Sequence, residues 1–436
     1  MISGIPGFAT APSTLPTPLQ GPFLSQRAPL FPSPKDPQSQ ASPEAPWVSR
    51  VGFGTYRLAL PHQGEVFELG SRALMQALDQ GCNLIDTAAN YMDGQSEILI
   101  GQVLREKEAE KPGFRSSLVV VSKVGYVQGR TMEWVEAQAL QGIDIPGVLK
   151  LNPQLWYCLS PEYIQAQCDR SLQRLQCQTL DVYLLHNPEY ILQYWLSQKL
   201  ALEEARSRFY ASMEKAFVAL ESLRSQGKIK YYGVSSNSLA EPKEGPTHVG
   251  LAQLWELAQK CGSAEGFKVV QTPLNWLEPG FLFMPALSMG DTSLLEFAQE
   301  KSMGVLINRP FNAFYNDGLI RMTRPPAHRV SQAKSQLELQ NGLANWTTLS
   351  HDLETLAEEH LQELPTFEPG KPLSQRVINL LTSLPGITAT LCGMRRPEYV
   401  EDVQLALKLP KIPKAKSVLS QIFSDLEFHG EKPVAP

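Results

Sequence analysis

The sequence predicts an α/β protein built on a (β/α)8 TIM barrel with long strand-to-helix loops on the C-terminal face. From residue 51 onward, short apolar runs rich in β-branched residues alternate with longer stretches of helical periodicity. The alternation occurs eight times, and continuous apolar strands that are each followed by a helix favour a parallel sheet covered on its faces. The connections from strand to helix are also longer than those from helix to strand, as expected when the functional loops gather at one end of a barrel.

Each predicted strand is a short apolar segment bounded by polar or turn residues. In chain order the strands cover residues 51–55, 83–88, 118–125, 179–187, 231–237, 269–275, 304–310 and 389–394. The predicted helices between them carry recognisable ends. One begins after Ser160 with Pro161 in its first turn, and another ends before Gly227. A single closed barrel accounts for all eight units.

Three connections from strand to helix are unusually long. They cover residues 126–159, 188–210 and about 311–372. In a barrel all three lie on the C-terminal face, where active sites are found. Three unrelated insertions are the alternative interpretation. The amphipathic segment 351–364 is predicted to be either a lid helix or a helix that only decorates the last connection.

The first 46 residues differ in composition from the rest of the chain. They contain 11 of the 34 prolines and four charged residues, so helices and sheet interiors are disfavoured there. We therefore expect a disordered Pro-rich leader over residues 1–46 and a barrel domain over residues 47–436. Deleting the residues up to Ala45 is expected to leave folding intact. An organelle transit peptide is the alternative, although the segment is poor in arginine and has no amphipathic helix.

Charge and cysteine usage narrow the classes of function. The net charge is −5 with mixed signs, so the sequence has no basic stripe for nucleic acid. No apolar run approaches the roughly 18 residues that cross a bilayer. The six cysteines form no CxxC pair, which predicts reduced thiols and no metal site. These features indicate a cytoplasmic protein without a nucleic-acid or membrane partner.

Four polar residues stand at or just beyond the ends of neighbouring strands. Asp86, Lys123 and His186 end the second, third and fourth strands, and Tyr91 follows the second. Each alone fits a solvated rim or ordinary packing. Together they form a plausible proton-transfer set: the carboxylate supports the ammonium, and the ammonium is expected to lower the pKa of the phenol. The imidazole can orient a carbonyl oxygen.

Several motifs in order along the chain carry a resemblance to a known family. They include GFGTYR, IDTAANYMDGQSEILIG, VVVSKVG, SLQRLQCQTLDVYLLHNPE, ALESLRSQGKIKYYGVSSN, VVQTPLN and GMRRPEYVEDV. From about residue 51 to 407 the chain resembles the aldo-keto reductase family. The resemblance implies an NAD(P)H-dependent oxidoreductase that interconverts a carbonyl (aldehyde, ketone or sugar) and its alcohol. Tyr91 would then be the general acid, tuned by Lys123 and Asp86, and His186 would orient the substrate oxygen.

The resemblance also implies cofactor contacts near the barrel axis. Gly54, Thr55 and Tyr56 match the first-strand segment beside the nicotinamide ribose. Ser235 matches the serine of the family's GVSN motif, and Gln271 matches the glutamine that binds the carboxamide. Ser236 stands where the family has asparagine. On the seventh strand, Asn308 and Arg309 replace an aromatic residue and a serine, and the arginine is expected to pair with the pyrophosphate.

The adenine end of the cofactor is expected at the helix after the eighth strand. Arg395 and Arg396 precede the segment PEYVED, and two guanidiniums at a helix N-terminus suit a 2′-phosphate. This pattern favours NADP(H) over NAD(H). The family's usual adenine-side arginine and asparagine correspond here to Tyr399 and Val403. Surface arginines paired with Glu398 or Asp402 are the alternative.

Two other functions remain open from the sequence. A nucleotide-sensing regulatory or scaffold subunit with the same barrel would use the large loops as a partner surface. A sugar-phosphate enzyme would need glycine-rich phosphate-binding loops after the seventh and eighth strands, and the segment INRPF at residues 307–311 has no glycine. The resemblance implies a small-molecule carbonyl or alcohol as substrate, and the oligomeric state is left open.

Overall fold

Eight parallel strands close into a barrel in the computed structural model of the chain. The structure describes residues 4–9, 22–33, 36–41, 45–58, 65–262, 265–286, 292–315, 318–321, 355, 359, 362 and 370–428. The barrel closes where the last strand pairs with the first, with Thr390 beside Val51. The predicted (β/α)8 fold is therefore confirmed.

Seventeen strands occur among the described residues, and eight of them form the barrel. The barrel strands are β5 (Val51–Gly54), β6 (Leu84–Asp86), β7 (Val119–Val124), β11 (Leu180–His186), β12 (Ile229–Ser235), β13 (Phe267–Pro273), β14 (Gly304–Asn308) and β17 (Ala389–Gly393). Each overlaps a predicted strand. The others are β1 (Arg27–Pro29), β2 (Pro32–Ser33), β3 (Asp36–Ala41), β4 (Trp47–Ser49), β8 (Tyr126–Val127), β9 (Leu149–Asn152), β10 (Leu155–Tyr157), β15 (Asn312–Tyr315) and β16 (Gly318–Arg321).

The helices surround the barrel and pack on its outer face. Those in the described part of the chain are α1 (Pro22–Ser25), α2 (Glu65–Asp79), α3 (Gln95–Glu110), α4 (Gly129–Leu140), α5 (Pro161–Leu175), α6 (Glu189–Ser197), α7 (Leu202–Ser225), α8 (Leu251–Lys260), α9 (Gly280–Phe283), α10 (Leu294–Glu300), α11 (Leu373–Ser383), α12 (Pro397–Lys408) and α13 (Ala415–Phe428). The predicted start of α5 is confirmed, because the Ser160 hydroxyl accepts the Tyr163 N–H. Among the described helices, none has the length and apolarity needed to cross a membrane.

The leader differs from its sequence-based prediction in the residues that the structure describes. Phe23 and Leu30 are fully buried and Phe31 is 4% exposed. Leu30 and Phe31 belong to the apolar cluster that also holds inward-facing barrel residues such as Val119 and Leu306. Although proline-rich, the leader brings large apolar side chains that fill one end of the barrel.

Backbone pairing holds this part of the leader in place. Strand β1 pairs antiparallel with β4, with Arg27 beside Ser49. The Leu30 carbonyl approaches β14 so closely that a Cβ added at Gly304 would lie 2.3 Å from its oxygen. Earlier in the leader, the Ala9 N–H donates to Asp181 at 2.6 Å. These contacts lie around the N-terminal ends of the barrel strands. The domain boundary at residue 46 stays a prediction.

The long connections after β7 and β11 contain regular structure. The first holds α4 and a three-stranded sheet in the order β8–β10–β9. The second differs from the predicted long connection 188–210, because α6 and the first turns of α7 occupy it. The segment from Leu202 to Tyr210 contains no proline or glycine and continues the helical periodicity of α7. The predicted helix at 351–364 lies outside the described residues, apart from the isolated positions 355, 359 and 362.

Candidate active site

A tyrosine, a lysine and an aspartate are joined by hydrogen bonds at the C-terminal ends of β6 and β7. Lys123 Nζ lies 2.8 Å from Asp86 Oδ2 and 3.0 Å from the Tyr91 hydroxyl oxygen. It also donates to the Thr87 carbonyl oxygen at 2.8 Å. Lys123 is 1% exposed and Asp86 is 4% exposed, so the ion pair is shielded from water. The lysine ammonium therefore touches the phenol and the carboxylate at once.

The charges in this cluster are set by burial and by the ion pair. Burial acts to lower the pKa of Lys123, but the attraction of Asp86 and Tyr91 outweighs it and raises the pKa. The lysine stays charged. For Tyr91, burial raises the pKa and outweighs the opposing effect of Lys123. The predicted lowering of the Tyr91 pKa is therefore wrong in sign, because burial of the phenol cannot be read from the sequence. The phenol holds its proton at neutral pH.

The turn that carries Tyr91 has an uncommon backbone. Met92 and Asp93 have φ of 47° and 58°, and Gly94 follows with φ of 81°. The backbone of three consecutive residues is thus left-handed, a conformation that residues other than glycine rarely adopt. The Asp93 carboxylate stabilises this turn by accepting the Arg130 N–H at 2.9 Å. The first turn of α4 therefore fixes the loop that carries the phenol.

His186 ends β11 and faces the same phenol. The ring centroids of Tyr91 and His186 lie 5.8 Å apart in an edge arrangement. Burial, together with the positive charge of Lys123, lowers the pKa of His186 well below its ordinary value. The imidazole is neutral near pH 7 and has one ring N–H to donate. All four predicted catalytic residues are thus brought together on one rim.

Further residues of the pocket were missed by the sequence-based prediction. The Tyr126 ring lies 4.8 Å from the His186 ring, and the Tyr126 hydroxyl accepts from Asn187 Nδ2 at 2.7 Å. Tyr157 donates to the His186 carbonyl oxygen at 2.9 Å. Tyr126 and Tyr157 come from the connection after β7, which was predicted to lie at this face. Their places in the sequence were the signal that could have identified them, because Tyr126 follows the end of β7 and Tyr157 precedes α5.

Gln271 links the aspartate to the far side of the barrel. Its side-chain amide donates to Asp86 Oδ1 at 2.7 Å and accepts from Ser235 Oγ at 3.0 Å. Asn308 Nδ2 also donates to the Gln271 oxygen at 3.3 Å. Within the described residues, the buried Asn308 Oδ1 has no hydrogen-bond partner. The predicted cofactor residues Ser235 and Gln271 therefore form one polar cluster with Asn308, whose Oδ1 is an unpaired acceptor among the described residues.

The predicted first-strand contacts lie beside this cluster. Gly54 pairs with Asp86 across β5 and β6, and the Thr55 hydroxyl donates to the Asp86 carbonyl oxygen at 2.9 Å. Tyr56 is 63% exposed, and its ring meets the edge of Tyr91 at 5.2 Å. The first strand therefore borders the Tyr91 phenol.

Two other predicted cofactor residues are engaged elsewhere. Arg309 Nη2 pairs with Glu278 Oε1 at 2.9 Å, at a position with φ of 53°. A pyrophosphate would meet that carboxylate next to the guanidinium. Ser236 is 1% exposed, and its hydroxyl accepts the Ser238 N–H at 3.1 Å.

Arg395 and Arg396 stand where α12 begins. Arg396 is the N-cap residue, and Pro397 opens the first turn. Both arginines are partly exposed. Asp402, one of the predicted alternative partners, accepts from Gln375 Nε2 at 2.8 Å. The two arginines thus stand at the N-terminus of α12, where the first backbone N–H groups of a helix have no intrahelical partner.

No three His, Cys, Asp or Glu side chains gather into a potential metal site in the described part of the chain. The chemistry of the rim lies in the tyrosine, the lysine, the aspartate and the histidine.

Known proteins with similar sequences are reductases. The chain is 29% identical over 192 residues to the NADH-specific methylglyoxal reductase of Escherichia coli (strain K12), covering 43% of this chain and 48% of that protein. It is 26% identical over 195 residues to the aldo-keto reductase YhdN of Bacillus subtilis (strain 168), covering 44% and 45%. The match thus spans just under half the length of these relatives.

Solved structures share the fold along nearly the whole barrel. The glycerol dehydrogenase AKR11B4 from Gluconobacter oxydans superposes with a TM-score of 0.55 at 20% identity, covering 89% of this chain and 95% of that one. An aldo/keto reductase from Klebsiella pneumoniae in complex with NADP and acetate gives 0.50 at 19% identity, covering 87% and 92%. The sequence profile of the aldo/keto reductase family matches residues 50–417. The chain belongs to the aldo/keto reductase family.

Proposed function

We propose that the protein is an NAD(P)H-dependent oxidoreductase that interconverts a small carbonyl compound and its alcohol. The observation that carries the proposal is the position of Lys123 Nζ, which contacts both Asp86 and the Tyr91 hydroxyl. This contact holds the positive charge of the Lys123 ammonium beside the phenol oxygen, on which negative charge grows as the proton leaves.

In the reducing direction Tyr91 donates its proton to the carbonyl oxygen of the substrate. The nicotinamide cofactor supplies the hydride when it is bound. As the phenol loses its proton, Lys123 stabilises the phenolate, and Asp86 keeps the lysine charged. Neutral His186 donates a hydrogen bond to the same substrate oxygen and so orients it. In the oxidising direction the phenolate takes the proton back.

The polar cluster at β12, β13 and β14 fits a nicotinamide carboxamide. The orphan acceptor Asn308 Oδ1 needs a donor, and an amide NH2 provides one. Ser235 and Gln271 lie beside it, and Gly54, Thr55 and Tyr56 border the space from the first strand. The buried Ser236 hydroxyl accepts the Ser238 N–H, and Arg309 would reach a pyrophosphate only by leaving Glu278.

NADP(H) is the favoured cofactor over NAD(H). The support is the pair of guanidiniums at the start of α12, where a 2′-phosphate would also meet the helix N-terminus. Among similar proteins, two structures from Klebsiella pneumoniae hold NADP or NADPH, whereas the relative from Escherichia coli is named NADH-specific. Fluorescence titration with NADPH and with NADH, followed by a panel of aldehydes and sugars, tests both the cofactor and the reaction.

Binding of cofactor without turnover of any carbonyl would contradict the proposal. It would favour the alternative of a nucleotide-sensing regulatory or scaffold subunit. The named activities of relatives, such as methylglyoxal reductase and 6-dehydroglucose reductase, suggest small aldehydes and oxidised sugars for the panel.

Replacing Arg395 and Arg396 with alanine is expected to weaken NADPH binding and leave NADH binding nearly unchanged. Each lost charge-assisted contact costs about 1.5–3 kcal/mol, or roughly tenfold to a hundredfold in affinity. Fluorescence titration of the single and double variants with both cofactors measures the effect. Equal losses for NADPH and NADH would show that the arginines serve the pyrophosphate or the fold.

The pH dependence of reduction is expected to be flat through the neutral range. The pKa of Tyr91 is raised, so the phenol keeps its proton up to and beyond its ordinary pKa of about 10. The pKa of His186 is lowered, so the imidazole stays neutral above about pH 6.5. Turnover measured with saturating cofactor should therefore fall only above about pH 10. A fall centred between about pH 7 and 8 would contradict Tyr91 as the proton donor.

A further inference from the structure

The Lys123 ammonium has all three of its N–H groups engaged. They donate to Asp86 Oδ2 at 2.8 Å, to the Thr87 carbonyl oxygen at 2.8 Å and to the Tyr91 hydroxyl oxygen at 3.0 Å. An ammonium has three donors, so a fourth acceptor near Nζ can bind only by displacing one of these. The contact with Tyr91 is the longest of the three, and a carboxylate is a stronger acceptor than a phenol. The contact with Tyr91 therefore depends on how the Asp86 carboxylate is held.

The second carboxylate oxygen of Asp86 is the acceptor that could compete with the phenol. Rotation of the carboxylate would bring Oδ1 toward Lys123 Nζ. In the structure Oδ1 instead accepts the side-chain amide of Gln271 at 2.7 Å. Asp86 is 4% exposed and Gln271 is 1% exposed, so this hydrogen bond lies where water does not readily replace it. The amide therefore keeps Oδ1 turned away from the ammonium.

The Gln271 amide is itself fixed in one orientation. Its oxygen accepts from Ser235 Oγ at 3.0 Å and from Asn308 Nδ2 at 3.3 Å. An amide oxygen has two lone pairs, and these two donors use both. A flipped amide would set its oxygen against the Asp86 carboxylate, where neither group has a proton to donate. Residues of β12 and β14 thus determine that the Gln271 nitrogen faces Asp86.

We infer that Gln271 is a positioning residue, which holds the Asp86 carboxylate so that Lys123 keeps one N–H for the Tyr91 hydroxyl. This role rests on the proposed reductase activity, since it concerns the proton transfer from Tyr91 to the substrate. A contact with the nicotinamide carboxamide would instead act on cofactor binding. The two roles are compatible, because an amide nitrogen carries two N–H groups and can donate one to Asp86 and one to a cofactor.

Single-turnover kinetics with saturating NADPH separate the two roles, with the aldehyde of the panel that the parent protein reduces fastest. Gln271→Met keeps the length of the side chain and removes the donor. We expect the rate of reduction to fall by about tenfold to a hundredfold, the effect of one lost hydrogen bond to a charged group. Saturation removes any loss of cofactor affinity from this rate. Gln271→Leu is the second variant if the methionine variant fails to fold.

The matched control is Gln375→Met on α11. Gln375 is 4% exposed, and its side-chain amide donates to Asp402 Oδ1 at 2.8 Å. The control therefore also removes a buried amide that donates to a carboxylate, but at a distance from Lys123 along the outer helices. Its single-turnover rate should match that of the parent protein.

A double-mutant cycle with Asp86→Asn tests whether Gln271 acts through the carboxylate. In the Asp86→Asn protein, Gln271→Met should change the rate much less than in the parent, because the carboxylate that it orients is absent. Equal losses in the two backgrounds would overturn the positioning role. An unchanged single-turnover rate in Gln271→Met and Gln271→Leu, with the loss confined to NADPH affinity, would overturn it as well and leave the proposed reductase standing.

NMR of the side-chain amides in the cofactor-free protein needs no turnover. The Gln271 signal is identified by its absence in Gln271→Met, and it should shift in Asp86→Asn, because a neutral amide replaces the charged acceptor. Such a shift in a protein that reduces no carbonyl would support the hold of Gln271 on Asp86 and contradict the proposed reductase. A Gln271 signal that does not respond to Asp86→Asn would overturn the positioning role, with or without turnover.

Discussion

Tyr91→Phe is expected to reduce turnover of a carbonyl substrate by about 100- to 10,000-fold, the usual contribution of a positioned general acid. The change removes only the hydroxyl that touches Lys123 Nζ at 3.0 Å. Cofactor affinity and melting temperature should stay close to those of the parent. Single-turnover kinetics with saturating cofactor would place the loss in the chemical step.

A matched control removes another hydrogen-bonded hydroxyl far from the rim. Tyr232→Phe deletes a phenol oxygen that donates to Glu221 at 2.9 Å on the outer side of β12. It should keep its turnover. Lys123→Met should act in the same direction as Tyr91→Phe, because the phenolate loses its stabilising charge. The double variant should be little worse than either single variant, since the two residues act as a unit. Retention of most turnover in Tyr91→Phe would mean that another group protonates the substrate.

Leu30→Ala is expected to lower the free energy of unfolding by about 2–5 kcal/mol, the range for truncating a fully buried leucine. The side chain belongs to the apolar cluster inside the barrel, and it is 0% exposed. Deletion of residues 1–45 should cost more, since Phe23 and Phe31 are lost as well. Chemical denaturation of the single variant measures the effect, and thermal melting suits the truncated chain.

The control for this prediction is Leu140→Ala at the end of α4. Leu140 is 90% exposed, so the same chemical change should alter stability by no more than about 0.5 kcal/mol. A truncated protein that melts at the temperature of the full chain would show that the leader contributes nothing to the barrel. Cofactor binding per folded molecule should be similar in all these variants, because Leu30 lies at the opposite end of the barrel from Tyr91.

The sequence predicted the barrel because local patterns and topology agree in it. Apolar β-branched runs form parallel strands where helices cover one face and the other face fills the barrel interior, so all eight strands could be located to within a few residues. The start of α7 was misplaced because the segment from Leu202 to Tyr210 follows a polar stretch and has no capping residue to mark the beginning of a helix. The described residues of the leader differ from the expectation of disorder because prolines dominate the composition of this segment, while the partners of Phe23 and Leu30 are distant in sequence.

The candidate site was predicted in its residues more completely than in its electrostatics. Strand ends identify Asp86, Lys123 and His186, since parallel strands deliver their C-terminal residues to one rim. The pKa of Tyr91 depends on how far the surrounding protein shields its hydroxyl from water, and the sequence near Tyr91 does not show this.

The packing of Leu30 and Phe31 against the barrel interior has a consequence for variation in living cells. A chain that unfolds more often is degraded more often, so a loss of about 1–2 kcal/mol can change protein abundance several-fold. Substitutions in the leader are therefore expected to alter how much enzyme a cell contains and to leave the activity of each molecule nearly constant. A screen that normalises activity to protein amount would score such variants as neutral, whereas a screen of total cellular activity would score them as harmful.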